Sequence, residues 1–142
     1  QGDVLIAWEN EAFLSMQEEP GEYEIVVPSA SVLCQPTVAV VDEVVDRRGS
    51  RAVAEEYLNY LYSDEAQKLA GENYYRPADQ DIAKQFYTEE GTHETTELPS
   101  DGKWMVTDVA MADISHFGGW DAVIEKHFSD GGIFDTIYER NR

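Results

Sequence analysis

The chain has 142 residues, enough for one domain that buries roughly 70% of the surface its unfolded form exposes. Its hydrophobic content of 42% and aromatic content of 11% exclude a disordered chain and predict an aromatic-rich core. Acidic residues outnumber basic ones 29 to 10, and a formal net charge of −19 repels nucleic acid and anionic membranes, which sets both aside as partners.

The acidic residues are spread along the chain and not massed in a tail. That is the pattern of a solvated acidic surface such as proteins from salty habitats carry. A single cysteine, Cys34, excludes an intramolecular disulfide and a thiolate metal cluster, and leaves the redox compartment unread. No apolar run approaches the length of a membrane span. The opening Gln1-Gly2-Asp3 lacks a Met and leads directly into an apolar run, which reads as a truncated or processed chain without a signal peptide.

Val4-Leu5-Ile6-Ala7-Trp8 is a continuous apolar run and predicts a strand buried on both faces of a parallel sheet. Residues 12–19 predict a short helix, with Phe13, Leu14 and Met16 apolar and Pro20-Gly21 ending it. Tyr23 to Val27 predicts a second strand, stopped by Pro28. Residues 28–36 read as a connector, and Thr37 to Val41 as a third strand. Asp46 to Gly49 reads as a polar turn, with Ser50 as the N-cap of a helix over 51–62. That helix carries Val53, Tyr57, Leu58 and Leu61 on one stripe. Ser63-Asp64-Glu65 is a fresh helix start, a capping hydroxyl followed by two carboxylates that suit the helix dipole, and the helix it opens ends near Gly71. Asp79 caps a helix from Gln80 to Tyr87, residues 88–102 form a polar loop, and Lys103 to Val109 predicts a strand. Residues 110–116 give no clear pattern. Gly118-Gly119 precedes a helix with Trp120, Val123, Ile124, His127 and Phe128 on one face, Gly131-Gly132 ends it, and Ile133 to Tyr138 closes the chain as a last short helix.

Several of these stretches resemble the bacterial sulfate- and thiosulfate-binding proteins, the solute receptors of ABC importers. They are Gly2-Asp3-Val4-Leu5-Ile6-Ala7-Trp8-Glu9-Asn10-Glu11-Ala12, Pro36-Thr37-Val38-Ala39-Val40-Val41-Asp42, Tyr57-Leu58-Asn59-Tyr60-Leu61-Tyr62-Ser63 and Tyr74-Tyr75-Arg76-Pro77. Phe117-Gly118-Gly119-Trp120 and His127-Phe128 before Gly131-Gly132 follow in the same order and spacing. The resemblance covers nearly the whole chain but only the C-terminal half or less of the family's length. Residues 99–116 depart from it, being longer and more acidic than the family's short strand and turn.

The resemblance implies an α/β fold, the C-terminal portion of a type II periplasmic binding protein whose two lobes close on a ligand about a hinge. Residues 1–28 would then be a fragment of the second lobe, 29–36 a hinge crossing and 37–142 the C-terminal part of the first lobe. It further implies a periplasmic location, a membrane permease as docking partner, and a missing N-terminal half that supplies most of the site.

Trp8 is the candidate ligand residue. In open α/β sheets ligands bind beyond the C-terminal ends of strands, and Trp8 ends the first predicted one. An indole N–H donates and cannot accept. Sulfate at neutral pH only accepts, whereas protonated phosphate brings a hydroxyl that neutral donors would leave unpaired, so a site of neutral donors selects sulfate. The resemblance implies that role for Trp8. On the residues alone, Trp8 as a core filler is the competing reading.

Other candidates carry less. Glu9 and Glu11 could pair as acid and base, but no nucleophile accompanies them. His93, His116 and His127 lack metal spacing, and His127 on an apolar face reads as a core residue. Gly118-Gly119 could cradle an anion and reads more simply as a tight turn. Cys34 has no His or Lys near it in sequence to activate it. Tyr57, Tyr60 and Tyr62 read as the core and rim of one helix. The expectation is therefore a binding protein for sulfate or thiosulfate, with no catalysis, no cofactor and no metal. A receptor for molybdate or phosphate, or an interaction domain that keeps the fold without the site, stands as the alternative. A fragment with open strand edges is also expected to associate with a copy of itself.

Overall fold

The computed structural model describes residues 2–89 and 93–139, so Gln1 and residues 90–92 of the predicted 88–102 loop lie outside the description. The chain divides into two units, Gln1–Pro28 with Thr37–Asp108, and Ser29–Pro36 with Val109–Arg142. Both mix helix with strand, in keeping with the α/β class.

In the first unit α1 spans Glu9–Glu18 and buries Phe13 and Met16, one turn apart on its inner face. The turn at Pro20 and Gly21 ends it, Gly21 taking the left-handed backbone (φ 84°) that only glycine adopts without cost. β1, Ile25–Val26, falls inside the predicted second strand. α2, Asp42–Arg48, begins just past the predicted third strand and runs through most of the expected turn, and Gly49 closes it in the left-handed conformation. α3 is Arg51–Tyr60 and α4 is Asp64–Glu72. The Ser63 side chain accepts from the amide of Ala66, as its sequence position required. α5, Gln80–Ala83, starts on Asp79, whose carboxylate accepts from the amides of Asp81 and Ile82, and continues as a 3-10 turn, Lys84–Phe86. β3, Glu94–Thr95, pairs antiparallel with β1, Ile25 facing Thr95.

The core of this unit is aromatic. Phe13 stacks on Tyr74 with centroids 4.9 Å apart, and both meet Trp104 edge-on at 5.5 and 5.8 Å. Ala83 and Met105 complete the buried cluster, with Phe86 and Tyr87 against it. The Trp104 indole donates to the carbonyl of Gly71 at 2.9 Å, so the one polar atom of that ring is satisfied inside. Tyr74 has a left-handed backbone (φ 63°) at the end of α4, where glycine is usual, and its stacking on Phe13 offsets that strain. Buried Gln67 ties α4 to the next segment. Its amide donates to the Leu61 carbonyl, and its oxygen accepts from the amides of Ala78 and Asp79.

Four expectations are corrected in this unit. Val4 to Trp8 is not a buried strand: it pairs with nothing among the described residues, and Val4, Leu5 and Ile6 are 87%, 83% and 97% exposed. Thr37 to Val41 is likewise an exposed segment without a ladder. A parallel strand exists only through its neighbours, and these two have none here. The stripe on α3 is not core either, since Val53 and Tyr57 are exposed and Leu58 and Leu61 are only half-buried; Tyr60 and Tyr62, expected as core and rim, are exposed too. Lys103 to Val109 forms no strand beyond a single bridge between Tyr87 and Met105, but its Trp104, Met105 and Val106 are buried.

In the second unit, β2 (Ala30–Val32) and β4 (Ala110–Ala112) pair in parallel, with Ala30 opposite Ala110. The expected connector thus contains a strand. A 3-10 turn, Ile114–Phe117, follows. α6 is Trp120–Val123, running into a π-turn at Ile124–Phe128, and α7 is Ile133–Glu139. Phe128, Phe134 and Tyr138 form a chain of ring contacts, yet no described residue of this unit is buried. Trp120, Ile124, Phe128 and Phe134 are exposed, and His127 is half-buried. The periodicity that predicted their helix is present, and its apolar face is uncovered. No described helix is long and apolar enough to cross a membrane.

Candidate functional site

The residues that converge on the candidate site surround the N-terminus of α1. Trp8 is its N-cap, with extended backbone (φ −67°, ψ 145°), and its carbonyl accepts the first helical bond from the Ala12 amide at 3.0 Å. Indole has no acceptor atom and cannot cap, so the amides ahead of that bond receive nothing from the Trp8 side chain. The ring is 59% exposed, and its N–H meets no acceptor among the described residues. The core-filler reading of Trp8 therefore does not hold in this chain, where the ring filling the core is Trp104. Trp8 precedes a helix and follows an extended segment without a ladder, instead of ending a paired strand.

Glu9 and Glu11 occupy the first turn, the favourable end of the helix dipole for carboxylates. They are not an acid–base pair. Glu9 accepts a bidentate bond from Arg76, Nε to Oε2 at 2.6 Å and Nη2 to Oε1 at 2.8 Å, while Nη2 also donates to the Val106 carbonyl at 2.9 Å. Both side chains are about three-quarters buried, at 27% and 26% exposure. Arg76 was missed because no basic residue lies near Trp8 in sequence; the pair spans 67 positions. The only signal was the quoted segment Tyr74-Tyr75-Arg76-Pro77, which carries the arginine. Asn10, between the two glutamates, is buried and reaches Glu11 at 3.5 Å.

His93 donates from both ring nitrogens, Nδ1 to the Val27 carbonyl at 3.0 Å and Nε2 to the Asp108 carboxylate at 2.8 Å; the bond to Asp108 raises the imidazole pKa, and the Asp108 pKa falls in return. His116 caps its 3-10 turn with Asp113, whose carboxyl is held down at about 2 by the Ser115 hydroxyl and the imidazole. Among the described residues no group of three or more His, Cys, Asp or Glu could hold a metal ion. Gly118 and Gly119, both at φ 89°, form the tight turn between the 3-10 turn and the four-residue α6. Cys34 is exposed. An open groove of about 490 Å³ in the first unit is floored by Phe13, Tyr87 and Trp104 and edged by Glu97, Asp101 and Lys103. Its edge is mostly acidic, the wrong sign for an anion, and Trp8 does not line it.

Residues 1–76 match the family described as bacterial extracellular solute-binding protein. The chain is 44% identical, over 98% of its length, to a sulfate-binding protein of Escherichia coli, and 45% identical over the same share to one of Salmonella typhimurium. It is 43% identical over 99% of its length to a thiosulfate-binding protein of Pseudomonas aeruginosa. In each case it spans 38% of the relative's length. The chain belongs to the bacterial extracellular solute-binding protein family.

Proposed function

We propose that the chain is the C-terminal portion of a receptor that binds sulfate, or thiosulfate, outside the cytoplasm and delivers it to the permease of an ABC importer. The observation that carries the reading is Trp8, an indole donor with no acceptor among the described residues, set one residue ahead of the first amides of α1. The names of the relatives support the ligand, and none of the three describes a molybdate or phosphate receptor. The chemistry is selective retention without bond-making: a dehydrated dianion held by uncharged donors in a net-negative protein, where long-range attraction is absent and only short-range dipoles hold it.

On this reading residues 1–28 and 37–108 belong to one lobe, because Phe13 shares a buried core with Tyr74 and Trp104, and residues 29–36 and 109–142 belong to the other, in place of the expected division at 28 and 36. The remaining donors come from the N-terminal half, so these 142 residues alone bind sulfate weakly. The exposed Val4-Leu5-Ile6 segment favours pairing with that half, or with a second copy when it is absent.

Isothermal calorimetry on the receptor chain that carries these residues tests the site. Trp8→Phe keeps the apolar bulk and removes one charge-assisted bond, and the expected loss is about 1.5–3 kcal/mol, or roughly 10- to 150-fold in affinity. Unchanged sulfate affinity would remove Trp8 from the site. Tight sulfate binding by the isolated 142 residues would refute the divided site.

A further inference from the structure

We propose that Arg76 is a positioning residue for anion binding at Trp8: its bidentate pair with Glu9 cancels the carboxylate next to Trp8 in the chain and anchors the start of α1. The inference rests on the reading of Trp8 as a ligand residue. A dianion arriving at this helix end would meet Glu9, adjacent to Trp8, and Glu11 two residues on. An unbalanced Glu9 would oppose the same dianion that the indole and the helix amides attract. The geometry removes the conflict. Arg76 commits Nε and Nη2 to both Glu9 oxygens at 2.6 and 2.8 Å, and the second proton of Nη2 to the Val106 carbonyl at 2.9 Å. This fork–fork pair is partly buried, so water and salt screen it less than they screen the surface pairs of the chain.

The anchoring follows from the same three bonds. Val106 is 2% exposed and follows Trp104 and Met105, which belong to the aromatic cluster. Arg76 follows Tyr74, stacked on Phe13 of α1 itself. The guanidinium thus joins the helix start to the packed centre of the unit, which fixes the direction in which Trp8 leaves the helix. A lysine could supply the charge but not the fork.

A charge role gives opposite signs for the two partners, whereas a purely mechanical one gives the same sign. Sulfate titration of the receptor chain that carries these residues, at low and at moderate ionic strength, separates them. If Arg76 neutralises Glu9, Arg76→Gln weakens sulfate binding about tenfold, which is about 1.4 kcal/mol. Glu9→Gln, which leaves the arginine charge unbalanced, tightens it severalfold, with a steeper salt dependence. The double substitution Glu9→Gln/Arg76→Gln recovers most of the loss. Equal weakening by both single substitutions, with no recovery in the double, overturns the charge role. Should Arg76→Gln fail to fold, Glu9→Gln carries the test: tighter sulfate binding supports the charge role, and weaker binding overturns it. Trp8→Phe in the same series distinguishes the two levels of the argument. If it weakens binding while Arg76→Gln does not, only the role of Arg76 falls; if it has no effect, the reading of Trp8 beneath it falls.

Discussion

Replacing Gly71 by alanine sets two effects of opposite sign against each other. Gly71 lies inside α4, where alanine is preferred over glycine by roughly 0.8–1 kcal/mol, so propensity alone makes the substitution stabilising. The packing opposes it. A Cβ at this position would stand 2.1, 2.3 and 2.5 Å from three ring carbons of Phe86, closer than any real contact. Phe86 cannot swing away freely, because its ring packs against the buried cluster of Phe13, Ala83, Trp104 and Met105. The Gly71 carbonyl also accepts the Trp104 indole, so a shift of α4 loosens that bond as well. Overpacking of this kind costs typically about 1–3 kcal/mol, and the cost here belongs at or above the upper end because the overlap is with a whole ring edge. Net destabilisation of about 2 kcal/mol is expected, which at a urea slope near 2 kcal/mol per molar moves the unfolding midpoint down by about 1 M. Urea unfolding followed by near-ultraviolet circular dichroism of the aromatic cluster measures it. In a Phe86→Leu background the same Gly71→Ala change should be neutral or stabilising. A Gly71→Ala variant as stable as the parent would refute the packing described for the core.

Two further outcomes are expected. The His93–Asp108 pair makes stability depend on pH: the imidazole pKa is raised above 6.5 in the folded chain, so its contribution is complete below that value and is lost as pH rises through the folded value. The Asp108 pKa is lowered below 3.8, so that part is lost only as pH falls through its folded value. Melting temperatures of the parent and of His93→Gln should therefore differ most between those two limits and converge in alkali; a constant gap across the range would contradict the assignment. With a net charge of −19, added salt should raise the melting temperature by screening self-repulsion, and a flat or falling salt series would show that the acidic surface is not under strain.

What the sequence made legible was local. Ser63 and Asp79 cap their helices because a short acceptor followed by a helical run needs nothing from the rest of the chain. The helix around Phe13 and Met16 follows for the same reason. Long-range partners were not legible. Val4 to Trp8 and Thr37 to Val41 have strand composition, but composition supplies no neighbour, and both are unpaired among the described residues. Residues 99–116 looked like an acidic departure from the family pattern, yet they hold Trp104, Met105 and Val106, among the most buried residues of the chain. Their burial depends on Gly71 and Phe13, which no local pattern indicates. At the candidate site, Trp8 could be singled out from its motif, whereas Arg76 could not, because only the folded backbone returns it to Glu9.

The aromatic cluster also sets an order of events for a chain emerging from the ribosome. Phe13 is made first of the three rings, and Tyr74 well after it. The indole that seals the cluster follows 33 residues beyond the glycine it bonds to. Until Trp104 has left the exit tunnel, Phe13 and Met16 have no complete interior to enter, and α1 is too short to persist by itself in water. Closing such long loops late costs chain entropy before any contact repays it. The nascent first unit is thus obliged to remain open through most of its synthesis, with its apolar side chains available to a holdase.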